Sequence, residues 1–154
     1  MNFEEYRAIK AVNFSSLKSM KKSPKQFKYD LEHGIADSTG KALGRATHTA
    51  VLEPEKFNEE YAIYDGERRA GADWKLFEKE NAKKQILKRA EAEHCLRIAR
   101  EVHANPVAAH YLSKGQAEKT ILWKDRVTGL DCKARIDFLS EVDGKLTIVD
   151  LKGT

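Results

Sequence analysis

Apolar and polar residues alternate along residues 130–138, and this period of two predicts a β-strand with one buried face. Its apolar positions are Leu130, Cys132, Ala134, Ile136 and Phe138, and its polar positions are Asp131, Lys133, Arg135 and Asp137. The following Asp143-Gly144 favours a two-residue hairpin turn, because both residues tolerate positive φ. A second strand is predicted after this turn, with Leu146, Ile148 and Asp150 on one face.

The hairpin register predicts two carboxylates opposite each other. A two-residue turn sets Asp137 across from Asp150 and Arg135 across from Lys152; a three-residue turn with a bulge would shift this pairing by one residue. Directly opposed side chains have Cβ atoms about 4.5–5.5 Å apart, where like charges destabilise a sheet. We therefore expect a cation between the two aspartates, and a divalent metal ion held by oxygen ligands fits this position.

A further strand is predicted over Glu118–Lys124, ahead of the turn Arg126–Gly129. If those four turn residues form the whole loop, Glu118 faces Asp137 and adds a third carboxylate to the patch. The chain from 116 to 152 is thus predicted to form a three-stranded antiparallel meander.

Helical periodicity and capping residues predict that residues 1–115 are mostly helical. Helices are predicted to begin at Asn13–Ser16 and at Ser23-Pro24 (ending near Gly34), to cover Lys41–Leu52, to surround Trp74, Leu76 and Phe77, and to cover Lys88–His103 and Pro106–Leu112. Asp37–Gly40 is predicted as a loop and Tyr61–Tyr64 as a short strand. The first of these helices carries Phe14, Leu17 and Met20 as an apolar stripe.

One histidine lies on the predicted helix that covers Lys41–Leu52. His48 follows Gly44 by one turn, on a face next to the buried one. Periodicity alone favours a packed or surface histidine there rather than a metal ligand. The other helical histidines, His94, His103 and His110, show no ligand spacing and are interpreted as structural or exposed.

Basic residues cluster at two places in the helical part. Five lysines follow Leu17 within the first two predicted helices: Lys18, Lys21, Lys22, Lys25 and Lys28. Arg68 and Arg69 lie in a glycine-containing loop over residues 65–72. Each cluster is consistent either with a solvated surface or with contacts to phosphate.

The overall composition bounds the class of protein. With 154 residues, 41% hydrophobic and 34% charged, the chain predicts one soluble globular domain. The net charge of +4 permits a polyanionic partner without requiring one. Cys95 and Cys132 both fall on apolar faces, which predicts two buried reduced thiols in a cytoplasmic protein. We see no signal peptide in the acidic N-terminal residues and no membrane-spanning run.

Four stretches together resemble a known family. Asp137 followed by Asp150-Leu151-Lys152 matches the PD-(D/E)XK nuclease signature. The stretch 44–57, with His48, resembles the histidine helix of the exodeoxyribonuclease VIII (RecE-like) group. The serine-rich start at 15–27 and the block with Arg69, Trp74 and Phe77 also resemble that group, so the resemblance covers nearly the whole chain.

The resemblance implies a fold, a site and an activity. It implies an α/β (α+β) restriction-endonuclease-like core in a single domain, with a helical part over 1–115 packed on the meander. The implied metal ligands are His48, Asp137, Asp150 and the backbone carbonyl of Leu151. The implied catalytic residues are Asp137, Asp150 and Lys152, with Glu118 as an accessory acid. The implied phosphate contacts are Arg68, Arg69 and Arg135. The implied cofactor is Mg²⁺, with Mn²⁺ also compatible with imidazole and carboxylate ligands. The implied activity is exonucleolytic cleavage of double-stranded DNA in phage-type recombination, with a single-strand annealing protein and a homo-oligomer as partners.

One departure from the group favours an alternative. The sequence stops at Thr154, shortly after Lys152, and Gly153 stands where the group commonly has Thr. We therefore expect the helix and strand that complete the group's core to be missing. An inactive, truncated remnant that binds DNA or a protein partner is the alternative, and solvated strand-end charges without any site are a third interpretation.

Overall fold

The computed structural model describes residues 1, 3–34 and 39–153, with Thr39 by its backbone alone. The described residues form eight helices, a three-stranded antiparallel sheet and a two-stranded parallel sheet, which confirms the mixed α/β class. The helices are α1 (Phe3–Ala8), α2 (Phe14–Met20), α3 (Pro24–His33), α4 (Thr39–Leu52), α5 (Pro54–Glu60), α6 (Gly71–Glu80), α7 (Arg89–Ala104) and α8 (Pro106–Leu112). The strands are β1 (Tyr61–Tyr64), β2 (Gln85–Lys88), β3 (Gly115–Lys124), β4 (Asp131–Val142) and β5 (Lys145–Val149).

The predicted register of the C-terminal hairpin is confirmed. Asp143 and Gly144 have φ of 53° and 67°, as a two-residue turn with positive φ at both positions requires. Val142 pairs with Lys145, and the ladder runs on to Phe138 opposite Val149. It ends one position before Asp137 and Asp150, so Asp150 lies just beyond the hydrogen-bonded part of β5.

The hairpin between β3 and β4 also has the predicted register. Lys124 pairs with Asp131, and the Asp125 N–H donates to the Leu130 carbonyl over 2.8 Å, which leaves a four-residue loop. The ladder has one gap, at Glu118, between the pairs formed by Ala117 and Lys119. Glu118 has a φ of 52°, a left-handed conformation that few residues other than Gly adopt. Its position still faces Asp137.

The prediction that β4 buries only one face is wrong. Lys133, on the predicted solvent face, is buried, whereas Leu130 is 48% exposed. The N-terminal segment covers that face: Lys133 Nζ donates to the carbonyls of Tyr6 (2.9 Å) and Ile9 (2.7 Å). Val12 extends this contact through an isolated parallel bridge to Cys132.

Helices α4 and α7 pack against each other to form the main core. Its buried members are Ala46, Ala50, Val51, Phe57, Tyr61, Leu87, Ala92, Cys95 and Ala99, with Leu43 partly buried beside them. Apolar periodicity in α4 predicts an inner stripe of Leu43, Ala46, Ala50 and Val51, and this stripe is confirmed. Helix α4 begins at Thr39, so the predicted loop is wrong for its last two residues; Asp37 and Ser38 lie outside the described residues. Cys95 is fully buried as predicted, but Cys132 is only partly buried.

A parallel strand pair forms the second sheet. The predicted strand β1 pairs with β2, a strand that the sequence pattern does not predict. Helix α6 connects the two strands, and Trp74 and Phe77 on it pack their rings against Tyr64 at about 5 Å between centroids.

Helices α2 and α3 have the predicted caps, but α2 does not have the predicted packing. Asn13 and Ser23 accept hydrogen bonds at the two helix starts, and Gly34 ends α3 with a φ of 78°. The stripe of Phe14, Leu17 and Met20 is exposed, and α2 buries Ser16 and Ser19 instead. Among all the described helices, none is long and apolar enough to cross a membrane.

Candidate active site

Helix α4 presents His48 toward the sheet. The core stripe of Ala46, Ala50 and Val51 fixes the rotation of the helix, because these side chains are buried against α7 and its neighbours. His48 is therefore held on the edge of that stripe, with 27% of its side chain exposed.

His48 and two carboxylates from neighbouring strands meet at this edge. His48 Nδ1 lies 3.7 Å from Asp137 Oδ1 on β4 and 4.0 Å from Glu118 Oε1 on β3. All three side chains are largely shielded from solvent, which strengthens the electrostatic interactions among them. The structure thus brings together three of the residues that the sequence proposed for one site.

Arg135 holds the other oxygen of Glu118. Its Nε donates to Glu118 Oε2, and only 13% of the Arg135 side chain is exposed. Its guanidinium carbon lies 5.8 Å from the ring centroids of both Phe3 and Tyr6. A buried carboxylate is stabilised by such a charged, forked donor, so Arg135 fixes Glu118 in place. In this conformation, the predicted phosphate contact Arg135 is therefore engaged with the site's own acid.

The end of the hairpin supplies the remaining predicted residues. The Leu151 N–H donates to Asp137 Oδ2 over 2.8 Å, which brings the segment after β5 against the carboxylate. Asp150 instead pairs with Lys152, whose Nζ lies 2.6 Å from Asp150 Oδ2. The hydrogen bond that Lys152 donates to Asp150 raises the pKa of Lys152, and the negative charges of Asp150 and Asp137 add to this effect. Both Asp150 and Lys152 are exposed.

Comparison with known families places this geometry in context. The sequence model of a family described as a PDDEXK-like domain of unknown function (DUF3799) matches residues 13–154. The chain belongs to this PDDEXK-like family. Among curated proteins, none matches the chain. Membership implies a nuclease-like fold with a restriction-endonuclease-like core.

A PDDEXK-like fold generally implies the use of a divalent metal, and the donor types of this chain fit one. Imidazole and carboxylate groups at the site are ligands for Mg²⁺ and Mn²⁺. In the part of the chain that the structure describes, however, no three His, Cys, Asp or Glu residues are arranged to hold an ion. The carboxylates have other partners instead, since Arg135 bonds Glu118, Lys152 bonds Asp150 and the Leu151 N–H bonds one oxygen of Asp137.

The structure adds residues that the sequence did not single out. Phe3 and Tyr6 form the aromatic wall around Arg135, and no local pattern marked them because they lie more than a hundred positions away in the sequence. Glu60, at the end of α5, lies close enough for the charges of Arg135 and Glu118 to influence it. Partial burial, followed by the nearby charge of Glu53, raises the pKa of Glu60.

The two arginines of the predicted basic loop lie between β1 and α6. Arg69 donates to Glu91 Oε2 (2.8 Å) and to the Ile86 carbonyl (3.0 Å), and it lies over the Trp74 ring. These contacts give Arg69 a structural role in joining the loop to β2 and α7. Arg68 is exposed on the same loop.

The other helical histidines have the contacts expected of structural residues. His103 Nε2 lies 2.8 Å from the Val51 carbonyl, and His110 pairs with Asp143 in the hairpin turn at 2.9 Å. His94 contacts Arg97 on the same helix.

Proposed function

We propose that this chain is a metal-dependent DNA exonuclease of the exodeoxyribonuclease VIII (RecE-like) type, which hydrolyses phosphodiester bonds of double-stranded DNA in recombination or DNA processing. The observation that carries the proposal is the convergence of His48, Glu118 and Asp137 beside the Asp150–Lys152 pair. These residues come from a helix and a sheet far apart in sequence, in a chain that belongs to a PDDEXK-like family.

In this proposal, His48, Asp137, Asp150 and the Leu151 carbonyl would hold the ion, and Glu118 is an accessory acid. A bound ion would supply positive charge next to the reacting phosphate and would lower the pKa of a water molecule. Lys152 orients that water or stabilises the phosphate oxygens as negative charge develops on them. Since Lys152 bonds Asp150 in the structure, its ammonium must exchange that carboxylate for the substrate.

The RecE-like resemblance adds partners to the proposal. Double-stranded DNA is the substrate, and a single-strand annealing protein and further copies of the chain are the expected protein partners. The net charge of +4 is compatible with the first of these.

One observation favours a second candidate, a DNA-binding module without activity. Each carboxylate of the site already has a cation or an N–H as partner, and the described residues contain no ready three-ligand arrangement. A chain in which Lys152 keeps Asp150 would bind DNA without hydrolysing it.

The experiment compares linear and covalently closed duplex DNA, each labelled uniformly, in Mg²⁺ and in EDTA. An exonuclease releases nucleotides from the linear duplex alone and only in Mg²⁺. Asp137→Asn should abolish release, while the exposed Asp131→Asn on the same strand should not. DNA binding without any release in Mg²⁺ would favour the second candidate.

A further inference from the structure

A groove of about 810 Å³ runs from His48 between the N-terminal helices and α4. Its walls come from α1, α2, α3 and α4. Among its described lining residues, Lys and Arg outnumber Asp and Glu by five to three. The groove therefore combines a positive balance of charge with direct access to the candidate active site.

One face of α4 forms the floor of this groove. Lys41, Gly44, Arg45 and His48 all line it, and their spacing places them on one side of the helix. Lys41 is exposed at the start of this row and His48 ends it. A row of basic residues that leads to a site for phosphodiester hydrolysis is suited to the backbone of a nucleic acid.

Gly44 leaves open space in the groove between Lys41 and His48, because it has no side chain. A Cβ placed on Gly44 would have no atom of the described residues within 4 Å, apart from its own helix and its sequence neighbours. Gly in the interior of a helix is less favourable than Ala by about 0.8–1.0 kcal/mol. The absence of a side chain therefore lowers helix stability without relieving any clash, and its visible effect is to keep the groove open beside His48.

The inner end of the groove carries a concentration of positive charge. Three guanidinium groups surround the Phe3 ring, with Arg45 at 5.0 Å and Arg7 and Arg135 each at 5.8 Å from its centroid. Arg7 and Arg45 line the groove, and Arg135 joins the cluster to Glu118. The cluster thus gathers three guanidinium groups around one ring, beside the place where His48 meets Asp137 and Glu118.

We infer that this groove is the path of one DNA strand to the active site, with Gly44 leaving room for its backbone and Lys41 and Arg45 facing its phosphates. The inference deepens the proposed nuclease function and rests on it. The volume favours one strand, because it falls within the range of about 300–1,000 Å³ that holds small ligands, which suits a few nucleotides and not a duplex.

The test measures binding in EDTA, so that it does not depend on hydrolysis. A fluorescent single-stranded 12-mer is titrated with the full chain, with Gly44→Leu and with Gly40→Leu as the matched control. Gly40 lies on the same helix, also has open space around an added Cβ and does not line the groove. Both variants should fold, and a thermal melt checks this.

We expect Gly44→Leu to weaken binding at least tenfold and Gly40→Leu to change it less than twofold. Lys41→Gln should also lower the salt dependence of binding by about 0.7 in log–log slope, the value for one lost phosphate contact on a single strand, whereas Lys28→Gln on α3 should not. Equal binding by Gly44→Leu and the parent, or no binding by the parent, overturns the groove as a DNA path. If Gly44→Leu weakens binding of a covalently closed duplex as much as it weakens binding of the 12-mer, the single-strand assignment fails.

The two proposals fail separately. If the 12-mer binds in the groove but no DNA is hydrolysed in Mg²⁺, the nuclease function fails and the groove stands. If DNA is hydrolysed in Mg²⁺ and Gly44→Leu binds and hydrolyses like the parent, the groove fails and the function stands.

Discussion

His48 Nδ1 lies 3.7 Å from Asp137 Oδ1, and this contact joins the buried helix α4 to the central strand of the sheet. Glu118 Oε1 lies 4.0 Å from the same nitrogen. One imidazole beside two carboxylates suits either an ion pair or a shared cation. The family of the chain favours the cation, and the following predictions separate the contributions of the individual residues.

A divalent metal should stabilise the fold if the site binds it. At a metal concentration one hundred times the Kd, ligand binding to the folded state adds about 2.7 kcal/mol to the free energy of unfolding. We expect Mg²⁺ or Mn²⁺ to raise the melting temperature of the parent chain and not that of Asp150→Ala. The control Asp131→Ala, which removes an exposed partner of Lys124, should retain the shift. If neither metal changes the melting temperature of the parent chain, the chain has no such site.

Removal of the Lys152 side chain should strengthen metal binding. Lys152 Nζ lies 2.6 Å from Asp150 Oδ2 and competes with any ion for that carboxylate. Calorimetric titration with Mn²⁺ should therefore give a lower Kd for Lys152→Ala than for the parent. Lys145→Ala, in the same hairpin, serves as the control for loss of one positive charge. A higher Kd for Lys152→Ala than for the parent would mean that this lysine does not compete with the metal for Asp150.

Arg135→Met should destabilise the fold, because it leaves Glu118 shielded from solvent without its charged donor. Such a loss costs about 1–3 kcal/mol for a buried hydrogen-bonded group. Urea unfolding measures this loss, and the double variant with Glu118→Gln should recover part of it. Strict additivity of the two single changes would show that the pair does not interact.

The raised pKa of Glu60 should make the stability of the fold depend on pH. Its pKa is raised above the usual 4.5, first by partial burial and then by Glu53, so the folded state binds this proton more tightly than the unfolded chain. Stability from this group is therefore present below the unfolded pKa and is lost as pH rises through the raised folded value. Glu60→Gln should melt at a higher temperature than the parent at pH 7, with the difference shrinking toward pH 4. The same exchange at the neighbouring Glu59 serves as the control, and an equal trend in both variants would contradict the assignment.

The strand pairing of the three-stranded sheet could be predicted because it depends on residues that are close together in the sequence. Asp143-Gly144 set the turn, and the pairing of β4 with β5 followed from it residue by residue. The four-residue loop before β4 likewise fixed the pairing with β3. Turn chemistry and alternation act over a few residues, which is the range that sequence patterns describe well.

Contacts between distant parts of the chain were not predictable. The burial of Lys133 depends on carbonyl groups of Tyr6 and Ile9, and no pattern within β4 announces them. The exposed Phe14 and Leu17 show the converse, since an apolar stripe predicts a buried face only when something covers it. The left-handed φ of Glu118 is a third case, because no pattern within β3 predicts it.

The candidate site was predicted in part for the same reasons. The hairpin register brought Glu118, Asp137 and Asp150 to one end of the sheet, and periodicity put His48 beside the core of α4. Only the packing of α4 on the sheet brings His48 to the carboxylates. The ion pairs that Arg135 and Lys152 form with these carboxylates could not be assigned from the sequence. A long side chain can reach several acidic groups, and its partner depends on which of them lies nearby in the folded chain.

The most direct test is the release of nucleotides from linear duplex DNA in Mg²⁺ by the parent chain and by Lys152→Ala. The account predicts release by the parent that EDTA abolishes, and at least a hundredfold less release by Lys152→Ala, which still binds Mn²⁺. Release by the parent that persists in EDTA, or release by Lys152→Ala at the rate of the parent, would contradict it.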